Sequence, residues 1–131
     1  MSNATIRRED EIEYEPVDAT DGLRRGVLLD ERDGAPNFAL RRFTLDPEAE
    51  VPKHTNKVEH EQYVLEGEYV VGVGETEYAV SAGDSLLIPA GEVHWYRNDG
   101  SKHGAFLCAV PNGDDEISLV EYASPTSDRH K

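Results

Sequence analysis

Short apolar runs, each ended by residues that favour turns, are the feature that most limits the folds open to this chain. Runs of four to eight residues rich in Val, Leu, Tyr and Phe recur from residue 26 to residue 110. Turn signals such as Asp33-Gly34, Pro89-Ala90-Gly91 and Asn98-Asp99-Gly100 separate them. Runs this short at close spacing predict an all-β sandwich or barrel. No window of a dozen residues keeps a helical period without a Gly or Pro, so helix content should be low.

The length of 131 residues predicts one domain with a core large enough to fold without disulfides. We expect a polar N-terminal arm over residues 1–20, the β domain over residues 21–123 and a disordered tail over residues 124–131. Within the domain, residues 38–45 predict one strand that Asp46-Pro47 should close. The single cysteine, Cys108, excludes an intramolecular disulfide and a cysteine-based zinc site.

The charge balance limits the partners of the protein. There are 27 acidic and 13 basic residues, a formal net charge of -14, and such a surface repels the phosphates of nucleic acids. The first eight residues lack the apolar core of a secretory signal and no stretch is long enough to cross a bilayer, so we expect a cytoplasmic protein without a membrane partner. A dispersed acidic surface with nine Arg and only four Lys favours a halophilic source over a merely acidic mesophile.

Three of the five histidines stand where strands are predicted to begin or end. His54 and His60 lie just before the run Tyr63-Val64-Leu65, and His94 follows the turn at Pro89-Ala90-Gly91. Imidazoles at the ends of short strands can converge on one divalent metal ion and leave coordination positions open for a ligand. His103, in a polar turn, and His130, in the tail, are interpreted as ordinary exposed residues.

The segment around His94 has a regular pattern. Gly83 precedes an apolar strand, Pro89 and Gly91 form a corner, His94 opens the next strand and Asn98 follows it. This stretch resembles the second motif of the cupin superfamily, G-x5-P-x-G-x2-H-x3-N, at every fixed position.

An earlier segment resembles the first cupin motif, G-x5-H-x-H-x3-4-E-x6-G, with three departures. His54 and Gly67 match it, whereas Glu48 replaces the opening glycine, Asn56 the second histidine and His60 the glutamate. Some small cupins carry histidine at the glutamate position, so the resemblance still implies a complete site.

The resemblance implies a jelly-roll β-barrel, usually a homodimer, that holds one divalent transition metal (Fe, Mn, Ni, Cu or Zn) near its axis. The implied ligands are His54, His60 and His94, with Asn56 either a weak fourth ligand or an outer hydrogen-bond donor. Three neutral imidazoles would leave the ion close to its full charge, which favours an anionic or chelating small molecule.

Strand alternation extends the predicted pocket. If His60 points inward, Gln62 should too, and Tyr96 should share the face of His94. On the last strand, either Phe106, Cys108 and Val110 or Ala105, Leu107 and Ala109 line the cavity. We favour the first register because larger side chains fill a barrel better. Cys108 is then a candidate pocket thiol, with an inert buried cysteine as the alternative.

Three functions are open at this point. A metal-dependent enzyme of the oxygenase type is favoured over a non-catalytic ligand-binding or sensor module. A sugar isomerase or epimerase is third, because no lysine falls on a predicted inward position to supply acid-base chemistry.

Overall fold

The computed structural model describes residues 4–113 and 117–119. This part of the chain is almost entirely β-strand and contains no α-helix, only two short 3-10 helices at Glu9–Glu11 and Glu31–Asp33. The ten strands are β1 (Tyr14–Pro16), β2 (Asp21–Leu29), β3 (Phe38–Asn56), β4 (His60–Glu66), β5 (Glu68–Val73), β6 (Thr76–Ser81), β7 (Ser85–Ile88), β8 (His94–Arg97), β9 (Gly104–Pro111) and β10 (Ile117–Leu119).

The strands form one curled antiparallel sheet with the order β6-β5-β8-β3-β9-β4-β7. β2 and β10 also pair with β3, and β1 pairs with β2. The first half of β3 pairs with β2 and β9, whereas its last residues pair with β8 and β10. β3 therefore joins two walls of the barrel, and the predicted all-β jelly-roll fold is confirmed.

The continuity of β3 corrects one sequence prediction. Asp46-Pro47 does not close the strand, which runs on as far as Asn56. At the bend Glu48 adopts a φ of 67°, a left-handed conformation that normally suits glycine. The residue that stands in the glycine position of the first motif therefore keeps the backbone geometry of a glycine.

Asn98, the last fixed residue of the second motif, holds this bend in place. Its side-chain nitrogen donates to the carbonyls of Leu45, Asp46 and Lys102 at 3.4, 3.1 and 2.9 Å. Its backbone carbonyl accepts from the Glu48 amide at 2.9 Å. Asn98 is 0% exposed, so these bonds satisfy a side-chain amide that would otherwise be buried without partners.

The barrel interior holds the core, because alternate residues of each strand face it. The buried apolar side chains come from both walls and include Phe43, Leu45, Val51, Val64, Val71 and Phe106. The polar side chains buried with them are mainly those that the sequence singled out, which places the candidate site inside the barrel rather than on its surface.

The N-terminal arm is partly joined to the barrel. β1 pairs with β2 as a hairpin, so the N-terminal arm is attached to the sheet through its second half. The predicted tail at residues 124–131 lies outside the described residues. Within residues 4–113 and 117–119, no helix has the length and apolar character needed to cross a bilayer.

Candidate metal centre and ligand pocket

His54 and His94 meet where β3 and β8 run side by side. The two residues are direct partners in the antiparallel register, and their ring centroids lie 4.1 Å apart. Asn56 is two residues beyond His54, so it shares the inner face of β3, and all three side chains are buried. Strand pairing thus brings residues 40 positions apart into one cluster.

The corner before β8 is tied to the same place. Gly91 takes a φ of 79°, which lets the chain reverse, and its amide donates to the Asn56 carbonyl at 2.9 Å. The corner that sets the position of His94 is therefore bonded to the backbone of the strand that carries His54. The two motifs form one unit in space.

His60 approaches from the other wall, at the start of β4. Its ring centroid lies 6.1 Å from that of His94, and it is buried like the other two. Its Nδ1 is 3.4 Å from the Cys108 Sγ on β9. The structure therefore brings all three predicted histidines to one region, with His54 and His94 closer to each other than His60 is to His94.

Backbone carbonyls select the tautomer of two neutral rings. His54 Nδ1 lies 2.8 Å from the Pro52 carbonyl, and His94 Nδ1 lies 3.0 Å from the Glu92 carbonyl. A carbonyl only accepts, so Nδ1 carries the proton in these bonds and Nε2 carries the lone pair. This is the tautomer that a metal ion bound through Nε2 requires.

The residues present fit a metal ion in their donor types. Asn56 Oδ1 is buried without a hydrogen-bond partner, beside three imidazoles. An acceptor in that state is costly unless something else contacts it, and a cation would do so. Among the described residues, however, no three His, Cys, Asp or Glu side chains already surround one point as a metal cluster.

A pocket opens over this group. Gln62 on β4 and Tyr96 on β8 face each other across it, and Gln62 Nε2 donates to the Tyr96 hydroxyl at 2.7 Å. Burial raises the pKa of the Tyr96 hydroxyl well above its ordinary value, although the bond from Gln62 acts in the opposite direction. Tyr96 therefore stays a neutral hydroxyl at physiological pH. Gln62 Oε1 is buried without a hydrogen-bond partner, as Asn56 Oδ1 is.

The inner face of β9 carries Phe106, Cys108 and Val110, all buried, which is the register that the sequence favoured. Phe106 lines the pocket and stacks on the ring of Tyr96 with centroids 5.3 Å apart. The Cys108 Sγ lies 3.4 Å from His60 Nδ1, 3.9 Å from Gln62 Nε2 and 4.0 Å from Arg41 Nη2. The thiol is therefore packed among residues that line the pocket.

The sequence interpretation missed several of the residues that line the pocket. Arg41 and Phe43, on the inner face of β3, line the pocket, as do Val17, Asp18 and Thr20 next to the tip of the β1–β2 hairpin. Strand alternation through Phe43 and Leu45 would have indicated that Arg41 points inward. Nothing local signals the hairpin residues, because their place depends on how β1 folds back.

Comparison with known proteins agrees with this geometry. The model of the cupin domain matches residues 41–110, more than half of the chain, and the protein belongs to the cupin family. No curated protein sequence matches the chain.

Several solved structures share the fold. The polyketide cyclase RemF from Streptomyces resistomycificus is 27% identical with a TM-score of 0.81, covering 89% of this chain and 85% of its own. A predicted oxalate decarboxylase from Thermotoga maritima is 25% identical with a TM-score of 0.70, covering 88% of this chain and 100% of its own. Rru_A2000 from Rhodospirillum rubrum, a cupin-2 domain, is 24% identical with a TM-score of 0.72, covering 91% and 82%.

Proposed function

We propose that this cupin is a metal-dependent enzyme of the oxygenase type that acts on an anionic or chelating small molecule. The observation that carries the proposal is that His54, His60 and His94 line one pocket together with Asn56, whose Oδ1 is buried without a hydrogen-bond partner. His54 and His94 hold the tautomer suited to coordination because backbone carbonyls accept from their Nδ1 atoms. One divalent transition metal is the proposed cofactor.

The chain's own residues would bind and orient the substrate. A bound divalent metal supplies Lewis acidity and open coordination positions at the histidines. Gln62 holds the Tyr96 hydroxyl at 2.7 Å, and the pair presents fixed polar groups at the pocket wall. The neutral hydroxyl of Tyr96 would bind a substrate oxygen, and Phe106 would exclude water beside it.

Metal content tests the proposal directly. The protein would be purified without affinity nickel and analysed by inductively coupled plasma mass spectrometry. We expect close to one transition-metal ion per chain in the wild type and little or no metal in His94→Ala, because that variant removes one of the three proposed imidazole ligands. His103→Ala is the matched control, since the His103 side chain is 61% exposed and contacts Asp46 outside the pocket. A wild type that binds no transition metal would overturn the proposal.

The roles of His60 and Asn56 can be separated in the same assay. His60→Ala should lose the metal, whereas Asn56→Ala should lose little if the amide is only an outer group. Equal loss in both variants would assign Asn56 as a ligand.

Oxygen consumption distinguishes the enzyme from a binding or sensor module. The loaded protein would be assayed with enolic, thiol and diketone compounds. Binding of such a compound without oxygen uptake or any product would favour the non-catalytic alternative.

A cyclase is the second candidate reaction, because RemF, a polyketide cyclase, matches over 89% of this chain at 27% identity. Cyclisation of a polyketone chain without oxygen uptake would favour it over oxygenation. An isomerase or epimerase is less well supported, since no lysine lines the pocket among the described residues.

The proposed assembly is a cytoplasmic homodimer that binds a small molecule and neither nucleic acid nor membrane. Large exposed apolar side chains on the outer faces of β4 and β7, namely Tyr63, Leu65 and Leu87, support the pairing. Sedimentation equilibrium of the wild type and Leu87→Glu tests it, and a monomeric wild type would contradict it.

A further inference from the structure

The side-chain amide of Gln62 is only partly used by the protein itself. Gln62 lies on β4, lines the candidate pocket and is 3% exposed. Within the described part of the chain, its Oε1 atom has no hydrogen-bond partner. A buried amide oxygen in this state is costly, so this atom calls for a hydrogen-bond donor from a bound molecule.

The other end of the same amide is held in place. Gln62 Nε2 donates to the Tyr96 hydroxyl at 2.7 Å and lies 3.9 Å from the Cys108 Sγ. Because the oxygen and nitrogen of an amide share one carbon, Gln62 Oε1 and the Tyr96 oxygen are no more than about 5 Å apart. A single ligand atom can therefore lie within hydrogen-bond distance of both oxygens.

Tyr96 supplies the donor that complements this acceptor. Its hydroxyl oxygen accepts from Gln62, and the hydroxyl keeps a hydrogen of its own to donate. Tyr96 also lines the pocket and is 4% exposed. The pair thus offers one acceptor and one donor to the same ligand atom. A hydroxyl group both donates and accepts, so it satisfies both members of the pair.

The wall around the pair is aromatic. Tyr96 stacks on Phe106 with ring centroids 5.3 Å apart, and Phe106 stacks on Phe43 with centroids 5.1 Å apart. All three rings line the pocket. A flat, unsaturated carbon skeleton packs well against such rings. The hydroxyl best suited to this wall is therefore phenolic or enolic.

We propose that Gln62 determines ligand specificity by accepting a hydrogen bond from a phenolic or enolic hydroxyl, whose oxygen accepts from the Tyr96 hydroxyl in return. Amide, tyrosine and ligand then close a ring of three hydrogen bonds. The ligand hydroxyl keeps its proton there, because an amide oxygen only accepts. The inference rests on the proposed function in taking this pocket as the ligand site, and it does not depend on a bound metal.

Two fluorinated probes test the specificity, with binding to chelator-stripped protein measured by fluorine NMR titration. The probe para-fluorophenol can donate to Gln62, whereas its methyl ether, para-fluoroanisole, can only accept. We expect the wild type to bind the phenol about tenfold more tightly than the ether. Gln62→Met replaces the amide with an apolar chain of similar length and should remove this preference. Gln62→Glu keeps an acceptor and should retain it.

A second measurement observes the acceptor directly in the wild type. Gln62 is the only glutamine in the chain, so a carbon-13 label at the glutamine side-chain carbonyl gives a single resonance. Adding para-fluorophenol should move this resonance, because a hydrogen bond to Oε1 polarises the carbonyl. Adding para-fluoroanisole should move it much less. The measurement needs no variant, so it tests the inference even if Gln62→Met fails to fold.

The control variant is Asn112→Ala, because the Asn112 amide donates to the Ala35 carbonyl and does not line the pocket. It should keep the full preference for the phenol. A wild type without that preference, a preference that survives in Gln62→Met, or a resonance that both probes move equally would overturn the inference. A preference that depends on Gln62 in stripped protein supports it, even if the purified protein contains no metal and the metal proposal fails.

Discussion

The two segments that carry the histidines hold them in different ways. Residues 83–98 fix His94 with a short corner, and that corner departs from the motif at no fixed position. Residues 48–67 fix His54 and Asn56 with a long bent strand and change three of the motif's positions. Yet the backbone is kept where the residue changes, as the φ of 67° at Glu48 demonstrates. The comparison teaches that the fixed positions preserve chain geometry, whereas the donor atoms can vary around it.

The largest effect on stability is expected at Asn98, through which residues 83–98 hold the bend of β3. Asn98→Ala removes the side-chain bonds to the carbonyls of Leu45, Asp46 and Lys102. We expect a loss of about 3 kcal/mol in the free energy of unfolding, measured by urea denaturation. Asn112→Ala, which removes one bond to the Ala35 carbonyl, should cost only about 1 kcal/mol. Similar costs for the two variants would show that Asn98 does not anchor the bend.

Gly67 in the first segment and Gly91 in the second should differ in how well they tolerate substitution by alanine. Gly67 has a φ of 87°, and a Cβ there would lie 2.5 Å from the His103 carbonyl oxygen, a backbone atom. Gly91 has a φ of 79° but nothing within 4 Å of such a Cβ. We expect Gly67→Ala to cost about 3 kcal/mol and Gly91→Ala about 1 kcal/mol, compared by thermal or urea unfolding. Equal costs would mean that the close approach at Gly67 relaxes freely.

The bond between Gln62 and Tyr96 joins the two segments directly. Tyr96→Phe removes the acceptor of the 2.7 Å bond and should cost about 1 kcal/mol of unfolding free energy. A double-mutant cycle with Gln62→Leu should give a coupling energy of about 1 kcal/mol. Additive effects of the two substitutions would indicate that the segments are joined only through the backbone.

The smallest effect is expected at Glu48. Glu48→Gly relieves the left-handed conformation, against the larger chain entropy of glycine in the unfolded state, for a net gain of about 0.5 kcal/mol. Glu48→Ala removes the same charge but keeps a Cβ, so it is the matched control and should gain nothing. Urea denaturation of the two variants measures their unfolding free energies. A gain in stability shared by both would assign the effect to the loss of charge.

Local patterns were sufficient for the strands, the turns and the corner at Gly91, because each depends on neighbouring residues. The bend of β3 was not predicted, since Asp46-Pro47 resembles a strand end and Asn98, which holds the bend, lies about fifty residues away. Residue spacing indicated the region where the histidines meet. It could not supply the carbonyl partners of their Nδ1 atoms or the hairpin residues at the pocket, which depend on tertiary packing.

The halophilic source, inferred from the dispersed acidic residues, stays a prediction. Thermal unfolding from dilute buffer to molar salt tests it, because salt screens repulsion among like charges. A midpoint that stays constant across the series would contradict it.

β3 belongs to both walls of the barrel. The position of the site residues on it should therefore be unusually sensitive to a change in chain length between positions 48 and 54. Side chains on a strand alternate between faces, so one residue inserted between positions 48 and 54 would turn both His54 and Asn56 out of the barrel together. Natural variation in this protein's relatives should therefore tolerate exchanged side chains there far more readily than insertions or deletions.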